Sequence, residues 1–159
     1  MNVNARVSTR LVIGVLAALI AAGCATAKPK MGSGDIVADR QRLMKLNGAS
    51  WADVQAKAKA GQIEAIAVNA ETMALNAMHI PSIFPEGSLT DKSKAKPEIW
   101  QKWAEFEKAA KNFETEAEKL REAAKAKNAD LTQAIVKDFG RNACGTCHTP
   151  FRVPPPPRS

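Results

Sequence analysis

The sequence lacks the patterns that specify a β-sheet. It has no Tyr, only five Phe and three Trp, and few β-branched runs alternate with a period of two. It also lacks a repeat of solenoid length and a Gly/Ser-rich linker. A chain of 159 residues is long enough for one domain with a sizeable core and too short to favour two. These absences indicate a single helical domain.

A constellation of general acid, general base and nucleophile is missing too, so we do not expect an enzyme. The net charge is +7, of which residues 1–27 supply two Arg and no acid, leaving 21 basic and 16 acidic residues and +5. Lys and Arg interleave with Glu and Asp, as in KWAEFEKAAKNFETEAEKLREAAKAK. This pattern is typical of solvated helix faces with i,i+4 pairs. Nucleic acid is therefore not an expected partner.

The N-terminal apolar run LVIGVLAALIAA, at residues 11–22, is too short for an ordinary membrane span. A basic region with Arg6 and Arg10 precedes the run, and the small residues GCATA follow it. This order predicts a secretory signal over residues 1–27 and a periplasmic location. We expect a flexible N-terminus over 28–33, a four-helix domain over 34–152 and a Pro-rich disordered tail over 153–159.

Two processing sites are open. Ala25-Thr26-Ala27 offers the small-x-small pattern of ordinary export and would make Lys28 the first mature residue. Alternatively, AAGC resembles a bacterial lipoprotein box, which would give a lipid anchor on Cys24, although Ala21 stands where such boxes usually carry Leu. Both interpretations predict export.

Four segments show the periodicity of amphipathic helices. They cover about residues 34–60, 62–78, 97–124 and 128–151, with Asn128 or Asp130 as the N-cap of the last one. The third is the clearest, because eight apolar positions from Ile99 to Ala124 step by four and three. In the fourth, Leu131, Ile135 and Phe139 are expected to point inward. The fold class is all-α, an antiparallel up-down four-helix bundle, with a coiled-coil dimer of hairpins as the alternative.

The C-terminal stretch NACGTCHTPFR contains Cys144, Cys147 and His148. A thiol–disulfide centre would require a βαβ context, which this chain does not offer. A zinc site would need a fourth ligand, and His79 is the only other histidine. A c-type haem attachment site is complete with these three residues, since both thiols form thioethers and the imidazole ligates the iron. The motif favours haem c over zinc, redox and chance interpretations.

An exported helical bundle with this motif at its C-terminus resembles class II cytochrome c, the cytochrome c′ family. The matching stretches are DRQRLMKLNG at 39–48, FPEGS at 84–88, AKPEIW at 95–100 and CGTCHTPFR at 144–152. The resemblance implies one covalent haem c on Cys144 and Cys147, with His148 as its proximal ligand. It places Arg152 beside the proximal imidazole and Arg40 near a haem propionate.

Both arginines have an alternative role. Arg152 could interact with the dipole of the last helix. Arg40 lies on the inward stripe of helix one, where a charge needs a partner, and its alternative is a side chain that reaches the surface.

The identity of the sixth iron ligand distinguishes electron transfer from gas binding at the haem. Met44 follows Arg40 by one turn on the same stripe, and LMKLNG resembles the Met-containing stretch of low-spin members. The alternative is an apolar side chain over an open distal face. Met73 and Met78 are expected to fill the core, and His79 is expected to be a surface or loop residue.

The leading hypothesis is an exported electron carrier with His148 and Met44 as iron ligands. It would exchange single electrons with redox partner proteins of a bacterial respiratory chain. The first alternative is a five-coordinate cytochrome c′ that binds nitric oxide or carbon monoxide at an open distal face. The second is a helical lipoprotein with an incidental CxxCH. The resemblance also implies a homodimer formed through helices one and two.

Overall fold

A computed structural model describes residues 34–156 of the chain. The helices are α1 Ile36–Lys59, α2 Ile66–His79, α3 Glu98–Gln101, α4 Trp103–Lys125, α5 Ala129–Phe139 and α6 Thr146–Phe151. A 3-10 turn covers Pro81–Ile83, and a π-helical turn over Gly140–Gly145 joins α5 to α6. The predicted segments 1–27 and 28–33, and residues 157–159, lie outside the described residues.

The long helices form an antiparallel four-helix bundle, as predicted. Antiparallel pairing of α1 and α2 is visible in side-chain bonds: the Asn76 amide donates to Asn47 Oδ1 (2.8 Å), and the Asn69 amide donates to Asp53 Oδ2 (3.0 Å). The Asn112 amide of α4 donates to the Asn142 carbonyl (2.7 Å) in the π-helical turn between α5 and α6. α2 packs on α1 and α4, and α5 packs on α4 and α1. No helix within residues 34–156 is both long and apolar enough to cross a membrane.

Local sequence signals set the helix ends. Asp35 caps α1 by accepting from the Val37 and Ala38 amides at 3.0 and 3.1 Å. Asn128 caps α5 by accepting from the Leu131 amide at 3.0 Å, so it and not Asp130 is the N-cap. After α1, Gly61 adopts a φ of 73°, a left-handed conformation that glycine tolerates and that ends the helix.

The buried core follows most of the predicted stripes. In α2 and α4 the stripe residues are buried except Trp103, which is half-buried, and Phe106, Met73, Leu120 and Ile66 are among the largest buried ones. Two expectations are wrong: Leu131 is 49% exposed and Met78 is 61% exposed. In α5 the buried positions are instead Thr132 and Phe139, because Thr132 closes a hydrogen bond from its hydroxyl to the Asn128 carbonyl (2.7 Å) and turns toward the core.

Two helix bounds also differ from the prediction. Helix two begins at Ile66 rather than Gln62, because residues 61–65 form turns in which the Ile63 amide donates to the Gly61 carbonyl (3.0 Å). The predicted third helix is interrupted at Lys102, whose φ and ψ of −126° and 47° separate α3 from α4. The apolar stripe continues across this break, so periodicity alone does not reveal it.

Substitution of Phe139 tests the core. Phe139 is 1% exposed and stacks on Trp51 at a centroid distance of 4.9 Å, with Phe113 at 6.1 Å. Phe139→Ala should lower the free energy of unfolding by about 3–5 kcal/mol, since it leaves a cavity. The control Leu131→Ala, on the exposed face of the same helix, should change it by no more than ~0.5 kcal/mol. Urea denaturation of the haem-loaded protein measures both, and equal losses would contradict this packing.

Candidate functional site

A cavity of about 500 Å³ opens at one end of the bundle, between α1 and the C-terminal helix. Its volume falls in the range of cofactor pockets, roughly 300–1,000 Å³. Its apolar wall is formed by Val37, Ile80, Phe84, Ile99, Phe106 and Phe151. These residues come from α1, α4, the C-terminal helix and the segments between α2 and α4, so the cavity exists only once the bundle has assembled.

Five of the six residues predicted for the site line this cavity, namely Arg40, Met44, Cys147, His148 and Arg152. Cys144 does not line it, but it is half-buried and packs against the hydrophobic core. His79 lies outside the wall, at the exposed C-terminal end of α2. The structure thus brings together residues that stand more than 100 positions apart in the chain.

The sequence predicted one continuous helix over about residues 128–151. The structure differs, because the CxxCH motif spans a π-helical turn and the start of α6. Cys144 lies in the π-helical turn, and Cys147 and His148 lie in α6. A π turn inserts one residue into the α-helical ladder. Because each α-helical residue turns by about 100°, the insertion rotates everything after it by that angle. Phe139, before the turn, lies in the core, and Cys147 and His148, after it, line the cavity.

Burial controls the protonation of the motif. Burial raises the pKa of the Cys144 thiol, and it raises that of Cys147 to about 11, with the neighbouring Cys144 adding a smaller contribution. Burial lowers the pKa of His148, and the positive charge of Arg152 lowers it further. At neutral pH the site thus presents two protonated thiols and a neutral imidazole. A neutral imidazole keeps the lone pair that a metal ligand needs.

The donor set and the cavity fit a c-type haem. The Cys147 thiol and the His148 imidazole line the cavity beside an apolar wall of matching size, and Cys144 lies three residues before Cys147, packed against the core. Cys144 and Cys147 would supply the thioether bonds and His148 an axial nitrogen. Bound there, the haem supplies an iron centre that can change its charge by one electron.

Arg40 is buried, with 4% of its surface exposed, so the alternative of a surface side chain is excluded. Its Nε donates to the Ile83 carbonyl, its Nη1 to the Ser88 carbonyl (3.0 Å) and its Nη2 to the Ser88 hydroxyl. Its guanidinium lies over the Phe84 ring, 4.3 Å from the centroid. Burial lowers the pKa of Arg40. All three guanidinium nitrogens therefore bind residues 83–88.

These contacts attach α1 to the segment that covers the cavity. The Trp100 indole donates to the Phe84 and Pro85 carbonyls, both at 3.0 Å, and fixes the same segment from α3. Phe84 in turn meets Phe106 edge-on at 4.9 Å. Arg40 is thus a structural link at the cavity. Its contact with a haem propionate stays a prediction.

The C-terminal segment closes the cavity on its other side. Arg152 pairs with Ala95 in an isolated antiparallel bridge, and the Lys96 amide donates to the Phe151 carbonyl (2.9 Å). The Arg152 side chain is exposed at the wall, and its charge acts on His148. This agrees with a position near the imidazole, and its contact in the haem-loaded site stays a prediction.

Sequence reasoning missed residues of the wall. Lys45 continues the helical step from Val37 through Gln41, so the i,i+4 pattern of α1 could have revealed it. Ser93 and Lys94 could not be found this way, because a loop places them. Nothing in the sequence of residues 81–88 predicted the three hydrogen bonds that this segment accepts from Arg40.

The fold and the site together define a c-type haem four-helix bundle. The family model Cytochrome C' matches residues 35–152. Cytochrome c-556 from Agrobacterium tumefaciens (strain II Chrys) is 32% identical over 120 residues, which cover 74% of this chain and 96% of that protein. Cytochrome c-556 from Rhodopseudomonas palustris is 30% identical over 135 residues, covering 80% and 89%. The chain belongs to the cytochrome c′ family.

Solved structures agree with this membership. Cytochrome c′ from Rubrivivax gelatinosus superposes with a TM-score of 0.64 at 27% identity, covering 75% of this chain and 95% of that one. A nitric oxide complex of a cytochrome c prime variant from Alcaligenes xylosoxidans gives 0.67 at 27% identity, covering 77% and 96%. As a family member, the protein is a c-type haem protein with one covalently attached haem c.

Arg40→Lys tests the link between α1 and residues 83–88. Lysine keeps the charge but cannot fork to three acceptors or stack on Phe84 in the same way. The free energy of unfolding should fall by about 1–3 kcal/mol, and the Ser88 amide should exchange its hydrogen faster. The control Arg42→Lys changes a side chain that is 64% exposed, so it should alter stability by less than ~1 kcal/mol. Unchanged exchange at Ser88 in Arg40→Lys would contradict the link.

Proposed function

We propose that the protein carries single electrons, with His148 and Met44 as the axial iron ligands. The observation that supports this is the position of the two side chains. Met44 on α1 and His148 on the C-terminal helix line the same cavity, although 103 positions separate them in the chain. A thioether and an imidazole form the ligand pair of electron-carrying cytochromes c.

The surroundings of Met44 favour ligation over core packing. Met44 is half-buried and faces the opening, whereas Met73 is 1% exposed and belongs to the core. Arg40, one turn before Met44, fixes this part of α1 to residues 83–88. A ligand on a fixed helix needs little rearrangement when the iron gains or loses an electron, which suits an electron carrier.

The second candidate function is gas binding at a five-coordinate iron. It is supported by the likeness to the Alcaligenes xylosoxidans protein, whose structure was solved as a nitric oxide complex. In this case Met44 would be an apolar cover over the distal face. The predicted spin state distinguishes the two functions.

The cellular setting rests on residues outside the described part of the chain. The predicted signal over 1–27 supports export to the periplasm, with ordinary cleavage after Ala27 or a lipid anchor on Cys24. There the protein would exchange electrons with redox proteins of a bacterial respiratory chain. No enzymatic activity is proposed.

Met44→Ala tests the ligand assignment. The ferric wild-type protein should show a low-spin spectrum with a far-red sulfur-to-iron band, and the substitution should abolish the band and lower the reduction potential. The control Met78→Ala removes a methionine that is 61% exposed and outside the cavity wall, so the band should persist. A high-spin wild-type spectrum that Met44→Ala leaves unchanged, with uptake of carbon monoxide, would favour gas binding.

We also propose a homodimer through α1 and α2. Both helices expose large apolar side chains: Leu46 and Leu75 are each 52% exposed, and Val68 is 72% exposed. Leu46 and Leu75 are the chain neighbours of Asn47 and Asn76, which bond to each other at 2.8 Å between the helices. Apolar residues that flank one helix–helix contact are typical of a self-association surface.

Leu75→Glu should weaken the dimer at least about tenfold, because it brings two like charges to the interface. Analytical ultracentrifugation over a range of concentrations measures the dissociation constant. Leu131→Glu places the same charge on α5, where Leu131 is 49% exposed, and should leave it unchanged. A monomeric wild-type protein would exclude the dimer.

A further inference from the structure

The cavity wall carries charge of one sign. Arg40, Lys45, Lys94 and Arg152 line it, and no Asp or Glu is among its described lining residues. Arg40 is buried and bonded to residues 83–88, whereas the other three are exposed. We call Lys45, Lys94 and Arg152 the cationic rim.

The rim differs from most of the described surface. Elsewhere, Lys and Arg side chains commonly pair with acids, as in Lys57–Asp53 (2.6 Å) and Arg121–Glu71 (2.5 Å). Within residues 34–156, no rim residue forms an ion pair. The nearest acids along the loop are Asp91 and Glu98, and neither lines the cavity. Among the residues that the structure describes, the rim charges therefore have no acidic partner.

Backbone contacts hold the rim residues around one opening. The Val153 amide donates to the Lys94 carbonyl (2.8 Å), which ties the loop to the C-terminal segment that carries Arg152. The Gln41 side chain of α1 donates to the Lys92 carbonyl (3.3 Å) and ties the same loop to the helix that carries Lys45. The three charges thus come from three segments that are fixed to one another.

The carboxylates of the haem cannot neutralise all of the positive charge on the cavity wall. Haem c carries two propionate carboxylates, and four cations line the cavity. Even if both carboxylates pair with cations of the wall, two positive charges remain. An excess of one sign around a cavity focuses the electric field and attracts a partner of opposite sign.

We propose that the cationic rim docks the acidic face of a redox partner protein at the cavity opening. This inference rests on the proposed electron transfer. In the docked complex, one electron passes from the reduced partner to the ferric protein, so the partner is oxidised and the protein reduced by one electron. The reverse transfer balances in the same way, and no covalent bond changes. The rim steers the acidic partner and orients it at the opening.

An anionic membrane is the competing occupant, and the geometry favours a protein. Membrane-binding helices carry their cations along one amphipathic helix beside an apolar face. The rim instead comes from a helix, a loop and a chain end that encircle a concave opening. A protein surface with acidic side chains can follow this shape.

The experiment uses haem-loaded protein and two charge-reversed variants. Lys45→Glu/Lys94→Glu reverses two rim charges. Lys59→Glu/Lys137→Glu is the matched control, with the same charge change at exposed lysines that neither line the cavity nor form ion pairs within residues 34–156. Lys59 lies about 21 Å along α1 from Lys45, at 1.5 Å per residue. Unfolding midpoints and visible spectra are compared first, so that both variants are shown to be folded.

Two readouts follow. Stopped-flow measurements give the rate at which anionic ferricyanide oxidises the reduced protein and the rate at which cationic hexaammineruthenium(II) reduces the oxidised protein. At ~10 mM ionic strength, reversal of the rim should slow the reaction with ferricyanide about tenfold or more and accelerate that with hexaammineruthenium(II), and at ~500 mM the differences should nearly vanish. Binding of poly-L-glutamate, followed by NMR of the oxidised protein, should weaken about tenfold or more in the rim variant and little in the control.

Three results would overturn the inference. The first is an equal effect of rim and control variants on rates and binding. The second is a shift of the haem spectrum or potential in the rim variant with unchanged rates, which would assign the rim to the propionates alone. The third is rim-dependent binding to phosphatidylglycerol vesicles without binding to poly-L-glutamate. If the wild-type protein reacts slowly with both reagents, electron transfer fails as its function, while poly-L-glutamate binding still decides the docking surface.

Discussion

A buried guanidinium sets the architecture of the cavity end of the bundle. Arg40 sits among apolar side chains with 4% of its surface exposed, and a buried charge without hydrogen-bond partners would cost several kcal/mol. The chain supplies the partners from residues 83 and 88, which belong to neither α1 nor α4. This requirement draws an irregular segment over the cavity and brings Phe84 with it. Together with the Trp100 indole, this charge holds Phe84 in the apolar wall.

The opposite wall depends on a backbone irregularity. The π turn over Gly140–Gly145 lies between α5, whose Phe139 packs into the core, and α6, whose Cys147 and His148 line the cavity. Relative to a continuous α-helix, the inserted residue changes the rotation of α6 about its axis by about 100°.

The helical fold was predictable because apolar residues recur along the sequence with the period of an α-helix. The stripe from Ile99 to Ala124 and the CxxCH spacing both specify local geometry, and local geometry is what a single sequence encodes directly. The break at Lys102, the exposed position of Leu131 and the π turn were not predictable. Each results from a contact between helices or from a local backbone angle. The three- or four-residue spacing of apolar residues carries no information about either. The same applies to the cavity lining: the helical stripe, the CxxCH motif and the resemblance pointed to Arg40, Met44 and His148, but not to the partners of Arg40 or to the loop residue Lys94.

Several cations around one cavity lower the folding stability of the protein. Like charges that share one opening repel each other, and nearby acids would remove the repulsion, as they do along α4 and at Lys57. A protein shaped only for stability would place acids there. The wall retains cations instead, and no acid lines it within the described residues. The two haem carboxylates can balance two of the four cations, which leaves a positive excess. The proposed acidic surface at the opening would balance the remainder.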